Sequence, residues 1–195
     1  MKIPIEITEH KIMRQKSKFI AHIIPIESVD ELSPHLDKIK EKYNNATHIP
    51  YAYKLTKYED GMITNNERYS DGGEPTKTAG YPLLRLIHNK KLTNILIIVV
   101  RIYGGVKLGM GGLMKAFTEV AEVALENNKI IEKELCEEIK LKTNIKDYKN
   151  LEIILKKHKI KFKHEFGSDA VRVTAFIPID REEVLKNHIK QFLAP

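Results

Sequence analysis

The stretch RIYGGVKLGMGGLMKAF, residues 101–117, contains five of the ten glycines of this 195-residue chain. It overlaps the end of a nearly continuous apolar segment, residues 95–103, which predicts a strand in the centre of a sheet. Apolar side chains then recur at helical spacing from Leu113 to Ala124, which predicts a helix. We therefore place a glycine-rich junction between a central strand and a helix at the middle of the predicted fold.

This glycine-rich loop does not match the two common nucleotide-binding motifs. A Walker loop needs Lys and Ser or Thr directly after its last glycine, but Met110 and Gly111 follow Gly109. A dinucleotide fingerprint needs a third glycine where Met114 stands. Two interpretations remain. The backbone N–H groups at the helix start attract an anion, or the glycines only supply positive φ angles and close packing.

Under the anion-binding interpretation, positive side chains of the same stretch hold a phosphate against the backbone. Arg101 would orient it through two hydrogen bonds, while Lys107 and Lys115 would act as point charges. Under the alternative, Arg101 pairs with a carboxylate of the protein and the loop is only a turn. The candidate anion- or RNA-binding residues are Arg101, Gly104, Gly105, Lys107, Gly109, Gly111, Gly112 and Lys115.

The composition is that of a globular protein with an excess of positive charge. Hydrophobic residues make up 42% of the chain and charged residues 30%, and 33 Lys and Arg stand against 26 Asp and Glu. The resulting formal net charge of +7 suits a polyanionic partner such as RNA, or it only favours solubility.

Cysteine content and hydropathy exclude several classes of protein. Cys136 is the only cysteine, which rules out an intramolecular disulfide and a zinc site built on cysteines. Residues 1–18 contain no secretory apolar segment, and the longest apolar run, 95–100, is far shorter than the about 20 residues that span a bilayer. We expect a cytoplasmic protein with no membrane segment, no cofactor and no metal ion.

Two domains are predicted, at residues 1–130 and 131–195, because the hydrophilic stretch 126–133 follows a helix and nearly all glycines and tyrosines precede it. A capping box from Ser28 to Glu31 predicts the first helix start. The predicted elements of the first domain are extended segments at 3–7 and 17–26, a helix after 28, strands at 49–57 and 62–69 with a turn at 59–61, a helix ending at 89, the strand at 95–103 and a helix after the glycine loop.

The second domain is predicted as a strand at 139–143, a helix at 146–158, a hairpin of 160–166 and 171–177, and a helix at 180–192. This order is that of a ferredoxin-like unit without its final strand. The chain also carries a lysine run here. On a strand, Lys159, Lys161 and Lys163 would share one face, which suits a phosphate backbone or is merely solvated.

Three longer motifs are more specific than any of these patterns. They are ATHIPYAY at residues 46–53, SDGGEPTKTAG at 70–80 and VVRIYGGVKLGMGGL at 99–113. Together they closely resemble the YigZ/IMPACT family over about residues 15–125. Gly72 stands where the family has a second acid, which weakens any two-carboxylate or metal site at this loop, and Ile102 stands where the family has an aromatic residue.

The resemblance implies an α+β fold in two domains. The first would be ribosomal-protein-like, similar to domain IV of elongation factor G, and the second ferredoxin-like, similar to domain V of that factor. It also implies a role in translation control, because eukaryotic relatives bind the activator of a starvation-responsive initiation-factor kinase. Those relatives carry an additional N-terminal partner-binding domain, which we do not expect here.

The motifs add a second set of site candidates, for each of which a structural role stays open. Asp71 and Glu74 could act as acid and base, but we favour capping of the next helix and pairing with Arg101. His48 could bind or catalyse, or only hydrogen-bond. Tyrosines 51, 53, 69 and 103 could stack on bases, or pack in the sheet. The motif-site candidates are His48, Tyr51, Tyr53, Asp71, Glu74 and Thr78.

The sequence therefore predicts a monomeric cytoplasmic protein that binds RNA or the ribosome and acts in translation regulation. One alternative is an enzyme or binder of a phosphorylated small molecule at residues 101–115, and another is a regulator with a protein partner. Kinases of the mevalonate and homoserine type share the ribosomal-protein-like topology, but their phosphate loop carries serines where this chain has Gly111 and Gly112. No Ser–His–Asp set is identifiable, so no catalytic residue is assigned and an enzyme is not favoured.

Overall fold

The computed structural model of the chain describes residues 1–59, 61–181 and 189. The chain divides into two compact units of mixed α and β structure. The first contains residues Met1–Thr56 and Asn65–Lys133, and the second contains Lys57–Thr64 and Glu134–Pro195. A domain boundary at 130/131 stays a prediction.

The first unit is built on a five-stranded sheet with the order β2-β3-β6-β4-β5. The apolar strand β6 is the middle strand and is buried along nearly its whole length, as its sequence predicted. The elements are β1 (Lys2–Pro4), β2 (Thr8–Arg14), β3 (Ser17–Pro25), α1 (Leu32–Lys42), β4 (Tyr51–Glu59), β5 (Met62–Ser70), α2 (Gly80–Asn89), β6 (Ile95–Ile102), α3 (Gly109–Glu126) and β7 (Ile130–Glu132).

Helices cover both faces of this sheet. Alternate residues of β6, such as Ile97 and Val99, pack with α2 and α3 around Phe117. The intervening residues, such as Ile98, pack with α1 through Ile39. Because both faces of β6 are covered, its side chains are apolar throughout instead of alternating with polar ones.

Two short strands were missed by the sequence analysis. β2 is half-exposed, so its apolar signal is weak. β7 lies inside the hydrophilic stretch that marked the predicted domain boundary, and it pairs antiparallel with β1, with Ile3 opposite Ile131. The Ser28 capping box is present as predicted, and it opens a short 3₁₀ turn, Val29–Glu31, directly before α1.

The second unit contains β8 (Cys136–Thr143), α4 (Ile145–Lys157), β9 (Lys161–Phe166) and β10 (Val171–Pro178). Its sheet has the order β8-β10-β9, with β10 antiparallel to both neighbours. Helix α4 packs on one face through Leu151 and Leu155, and Ile189 joins the same cluster. The predicted helix at 180–192 lies, apart from residues 180, 181 and 189, outside the described residues, as does Asp60 of the predicted turn at 59–61.

The prediction that three lysines share one face of a strand is wrong for one of them. Lys159 precedes β9 and has a left-handed backbone conformation, with a φ of 55°. It therefore belongs to the turn after α4, and only Lys161 and Lys163 share a face of β9.

Among the described residues, no helix is long and apolar enough to cross a lipid bilayer.

A buried histidine lies on β3 of the first unit. His22 is 4% exposed, its Nδ1 lies 3.6 Å from Oε2 of Glu9, and its ring contacts that of Tyr43. Its Nε2 has no hydrogen-bond partner among the described residues. Burial lowers the pKa of His22 from 6.5 to about 4, although Glu9 opposes the shift and Lys42 adds to it.

We predict that this histidine makes stability depend on pH between about 6.5 and 4. In that range an unfolded chain binds a proton at His22 that the folded chain does not, so stability rises with pH and falls on acidification. The full effect is up to about 3 kcal/mol. Urea unfolding at pH 4.5, 5.5 and 7 measures it. His22→Gln should flatten the profile and His35→Gln should not; equal profiles for the two variants would contradict the assignment.

Candidate functional site

The three sequence motifs of the first unit meet at one point. Residue 48 precedes β4, residue 74 lies in the loop before α2, and residue 101 is near the end of β6. The backbones of His48 and Arg101 are paired, with the Arg101 N–H donating to the His48 carbonyl at 2.9 Å. The strand pairing thus brings side chains together that lie 53 residues apart in the sequence.

A buried carboxylate connects the three motifs. Nη1 of Arg101 donates to both oxygens of Glu74, at 2.7 and 2.9 Å, and both side chains are almost completely buried. Nδ1 of His48 lies 2.7 Å from Oε1 of Glu74. Because an ionised carboxylate only accepts hydrogen bonds, Nδ1 is the protonated nitrogen, and the network fixes the orientation of the imidazole ring.

Aromatic rings enclose the guanidinium group of Arg101. Its central carbon lies 5.5 Å from the centroid of Phe19 and 5.3 Å from that of Tyr103. Arg101 as a whole is 5% exposed, and its Nε has no hydrogen-bond partner among the described residues. Arg101 therefore pairs with a carboxylate of the protein, which is the alternative that the sequence left open. Direct contact of Arg101 with a phosphate stays a prediction, and the burial of its side chain argues against it.

Asp71 caps the following helix instead of joining this network. Its Oδ1 accepts from the N–H groups of Ala79 and Gly80 at 3.1 and 2.9 Å, and its Oδ2 accepts from that of Lys77 at 2.8 Å. Ala79 and Gly80 form the start of α2, whose first N–H groups have no partner within the helix, and Lys77 belongs to the loop before it. Asp71 therefore has the structural role that the sequence analysis favoured.

The remaining motif candidates are mostly interior. The Tyr53 hydroxyl donates to Oδ1 of Asn66 at 2.8 Å, and the buried Thr78 hydroxyl donates to the carbonyl of Pro75 at 2.6 Å. Tyr51 is half-buried, and Tyr69 packs edge-on against Tyr81. Tyr103 differs from these, since it is 42% exposed at the start of the glycine loop.

Two glycines of the second motif were not predicted as packing positions. A Cβ at Gly73 would lie 2.9 Å from Cδ2 of His48, so the absence of a side chain leaves room for the imidazole ring beside the backbone. A Cβ at Gly72 would lie 2.4 Å from the backbone of Ile49 and Pro50. The second acid that the family resemblance led us to look for at position 72 has no room here without a backbone shift.

Three glycines of the loop are required by the protein's own structure. A Cβ at Gly104 would lie 2.0 Å from the carbonyl oxygen of Lys16, in the turn between β2 and β3. Gly105 and Gly109 have φ angles of 85° and 69°, which favour glycine. These three positions therefore match the turn interpretation of the loop.

Gly111 has no such structural reason. It lies in the first turn of α3 without a positive φ, and a Cβ there would meet no atom within 4 Å. A Cβ at Gly112 would touch only the Leu108 side chain, at 3.1 Å. Glycine in a helix costs about 1 kcal/mol relative to alanine, so an unforced glycine at an open position is consistent with close approach from outside.

No side chain among the described residues caps the start of α3. Its N-cap residue, Leu108, makes no side-chain hydrogen bond to the helix, and the first turn contains no acidic residue. Lys107 and Lys115 are exposed on either side of this turn.

The sequence analysis missed several exposed apolar side chains near this turn, namely Val106, Met110 and Met114.

Comparison with known proteins identifies the family. Residues 15–125 match the model of the Impact N-terminal domain. The chain is 34% identical over 130 residues to the IMPACT family member YvyE of Bacillus subtilis (strain 168), covering 67% of this chain and 58% of that protein. It is 36% identical over 121 residues to an IMPACT family member of Haemophilus influenzae (strain ATCC 51907 / DSM 11121 / KW20 / Rd), covering 62% and 56%.

The chain therefore belongs to the IMPACT family, as its motifs predicted. It spans little more than half the length of these two curated relatives. A solved structure described as the crystal structure of a hypothetical protein is similar over 97% of this chain and 91% of its own, with a TM-score of 0.70 and 23% identity. That likeness shows the fold.

We predict that Glu74→Gln destabilises the first unit by about 3–5 kcal/mol, because it leaves the Arg101 cation buried without a counter-charge. Urea unfolding followed by circular dichroism measures the loss. Glu67→Gln is the matched control, since Glu67 pairs with His88 at the surface and its loss should cost less than about 1 kcal/mol. Equal losses in the two variants would show that Glu74 does not compensate a buried charge.

Proposed function

We propose that the chain binds RNA or the ribosome and acts in translation regulation, with the glycine loop and the start of α3 as the contact. Membership of the IMPACT family supports the regulatory role, which is the role that the resemblance to this family implies. The matched domain, residues 15–125, is the part of the chain that contains the loop.

The observation that carries the proposal is Gly111. The fold requires glycine at positions 104, 105 and 109, but at 111 it leaves open space above an uncapped helix turn. The unpaired N–H groups of such a turn, with about half a positive charge from the helix dipole, attract a phosphate oxygen. The missing Cβ lets that oxygen reach the backbone.

The surrounding charges fit the same ligand. Lys107 and Lys115 are exposed beside the turn, and the formal net charge of the chain is +7. A phosphate backbone would gain from both lysines, and its affinity would depend on salt. In this proposal Arg101 acts indirectly: its pair with Glu74 holds the end of β6, from which the loop departs.

We also propose the finer fold relationships. The β8-β10-β9 order, with α4 between β8 and β9 in the chain, is consistent with the first three strands of a ferredoxin-like unit, similar to domain V of elongation factor G. The first unit would correspond to the ribosomal-protein-like domain IV of that factor. Both of those domains belong to a protein that works on the ribosome.

A protein partner in translation control is the second candidate. It is favoured by the exposed apolar side chains beside the loop, since Met110 is 63% exposed and Val106 and Met114 are each 38% exposed. Flexible methionines suit a protein contact better than a phosphate contact. A phosphorylated small molecule is the remaining alternative.

We predict opposite effects of Gly111→Gln on stability and on binding. Gln is a good helix former, and the site has space and no positive φ, so the free energy of unfolding should rise by about 0.5–1 kcal/mol. The longer side chain covers the N–H groups, so binding to ribosomes should fall at least tenfold. Gly105→Ala, at a φ of 85°, should instead lose stability. A variant Gly111→Gln that binds ribosomes normally would exclude the loop as the contact.

We further predict that the full chain co-sediments with ribosomes at 50 mM salt and is released as salt increases. Lys107→Gln/Lys115→Gln should reduce the bound fraction, because two cations are lost at the contact. Lys38→Gln/Lys90→Gln removes the same charge from exposed positions of the same unit and should bind normally. If the wild-type chain does not sediment with ribosomes even at 50 mM salt, the proposed function is wrong.

A further inference from the structure

The second unit has a sheet face that bears five positive side chains, and nothing in the proposed function uses it. These are Lys140, Lys142, Lys161, Lys163 and Arg172, which come from all three strands and are all exposed. We call this surface the basic sheet face. Only two of its five cations belong to the lysine run noted in the sequence, because the other three are brought in by strand pairing.

The strand register arranges these side chains as a grid. Lys142 lies opposite Arg172, and Lys140 lies opposite Thr174, which in turn lies opposite Lys163. Neighbouring strands are about 4.8 Å apart, and side chains on one face repeat about every 6.7 Å along a strand. The cations therefore form a compact field and not a line along one strand.

This face is opposite the packed core of the unit. In β8 and β10 the alternate residues, such as Leu141 and Val173, are buried against α4. The basic side chains occupy the intervening positions and therefore point away from α4. Within the described part of the chain, none of the five forms an ion pair shorter than 4 Å.

A shallow cavity and an aromatic ring lie on the same face. The cavity has a volume of about 290 Å³, and its lining includes Lys140, Lys142, Lys163, Arg172, Thr174 and the acidic Glu165. Phe176 follows Thr174 along β10 on this face, and Nζ of Lys163 lies 5.9 Å from its ring centroid. The face carries two acidic residues: Glu138 lies opposite Phe176, and Glu165 lies opposite Arg172.

We propose that the basic sheet face binds single-stranded RNA, with phosphates on the cations and a base on Phe176. The five cations exceed the two carboxylates by three charges, which suits a polyanion. A sheet face with an aromatic ring takes an unpaired base by stacking, and a duplex offers no such base. The proposal shares only its class of ligand with the proposed function, and it concerns a different unit of the chain.

The test is binding of the full chain to a fluorescein-labelled 12-nucleotide oligouridylate, followed by fluorescence anisotropy over a salt series. Lys140→Gln/Lys142→Gln/Lys163→Gln should weaken binding at least tenfold and reduce the magnitude of the log–log salt slope by about 2, at about 0.7 per lost contact. Phe176→Leu should weaken it about tenfold through lost stacking. Thermal unfolding of each variant checks that the unit still folds.

The matched control is Lys146→Gln/Lys149→Gln/Lys157→Gln, which removes the same charge from exposed positions of α4, the helix packed on the opposite face. It should retain affinity and slope. Equal losses in the two triple variants would mean that only net charge matters, and would overturn the proposal. Tighter binding of a 12-base-pair duplex, or equal competition by a polyglutamate peptide, would overturn it too.

The same assay separates this proposal from the proposed function. Lys107→Gln/Lys115→Gln should leave oligouridylate binding unchanged, whatever it does to ribosome sedimentation. If that loop variant abolishes oligouridylate binding and the sheet-face variant does not, the basic sheet face is not the RNA site. If only the sheet-face variant loses oligouridylate binding and the wild-type chain does not sediment with ribosomes, the basic sheet face is supported as the RNA site. The proposed loop contact is then wrong.

Discussion

The buried carboxylate of Glu74 is the interaction on which the rest of the first unit's site depends. It neutralises Arg101 in the interior and at the same time accepts from Nδ1 of His48. An arginine cannot give up its proton to avoid burial, so the strand that carries it needs a counter-charge at that place. The loop of residues 70–80 supplies it, which fixes that loop against the ends of β4 and β6.

The two helices on one side of the sheet begin in opposite ways. The first N–H groups of α2 are satisfied inside the protein by Asp71. Those of α3 donate to no side chain of the described residues, because the N-cap residue is Leu108 and the first turn contains no acidic residue. In the same fold, the N-terminal N–H groups of one helix are therefore capped by a side chain of the protein, while those of the other, within the described residues, are free to bind a ligand. The glycine-rich motif lies at the helix whose N–H groups are free.

Much of this arrangement could be predicted from the sequence, and what could not has a physical cause. The apolar run of β6 and the family motifs identified the central strand and the glycine loop, because both signals are local. The sequence could not decide whether Arg101 faces a ligand or Glu74, since that depends on a contact across 27 residues. The basic sheet face was missed for the same reason, because Lys142 and Arg172 become neighbours only through the register of β8 and β10.

The pairing of β1 with β7 has a consequence for how the chain folds during synthesis. Residues 2–4 pair with residues 130–132, so the two-stranded pair cannot form until the last part of the first unit has left the ribosome. Contacts of such sequence separation slow folding, since a long loop must close before they are gained. Until then, the backbone pairing available to β1 within the described residues is the bridge of Lys2 to Leu92 and the hydrogen bond from the Thr93 N–H to the Lys2 carbonyl. Its three-residue length, with a proline at its end, limits the edge that it offers for wrong pairing.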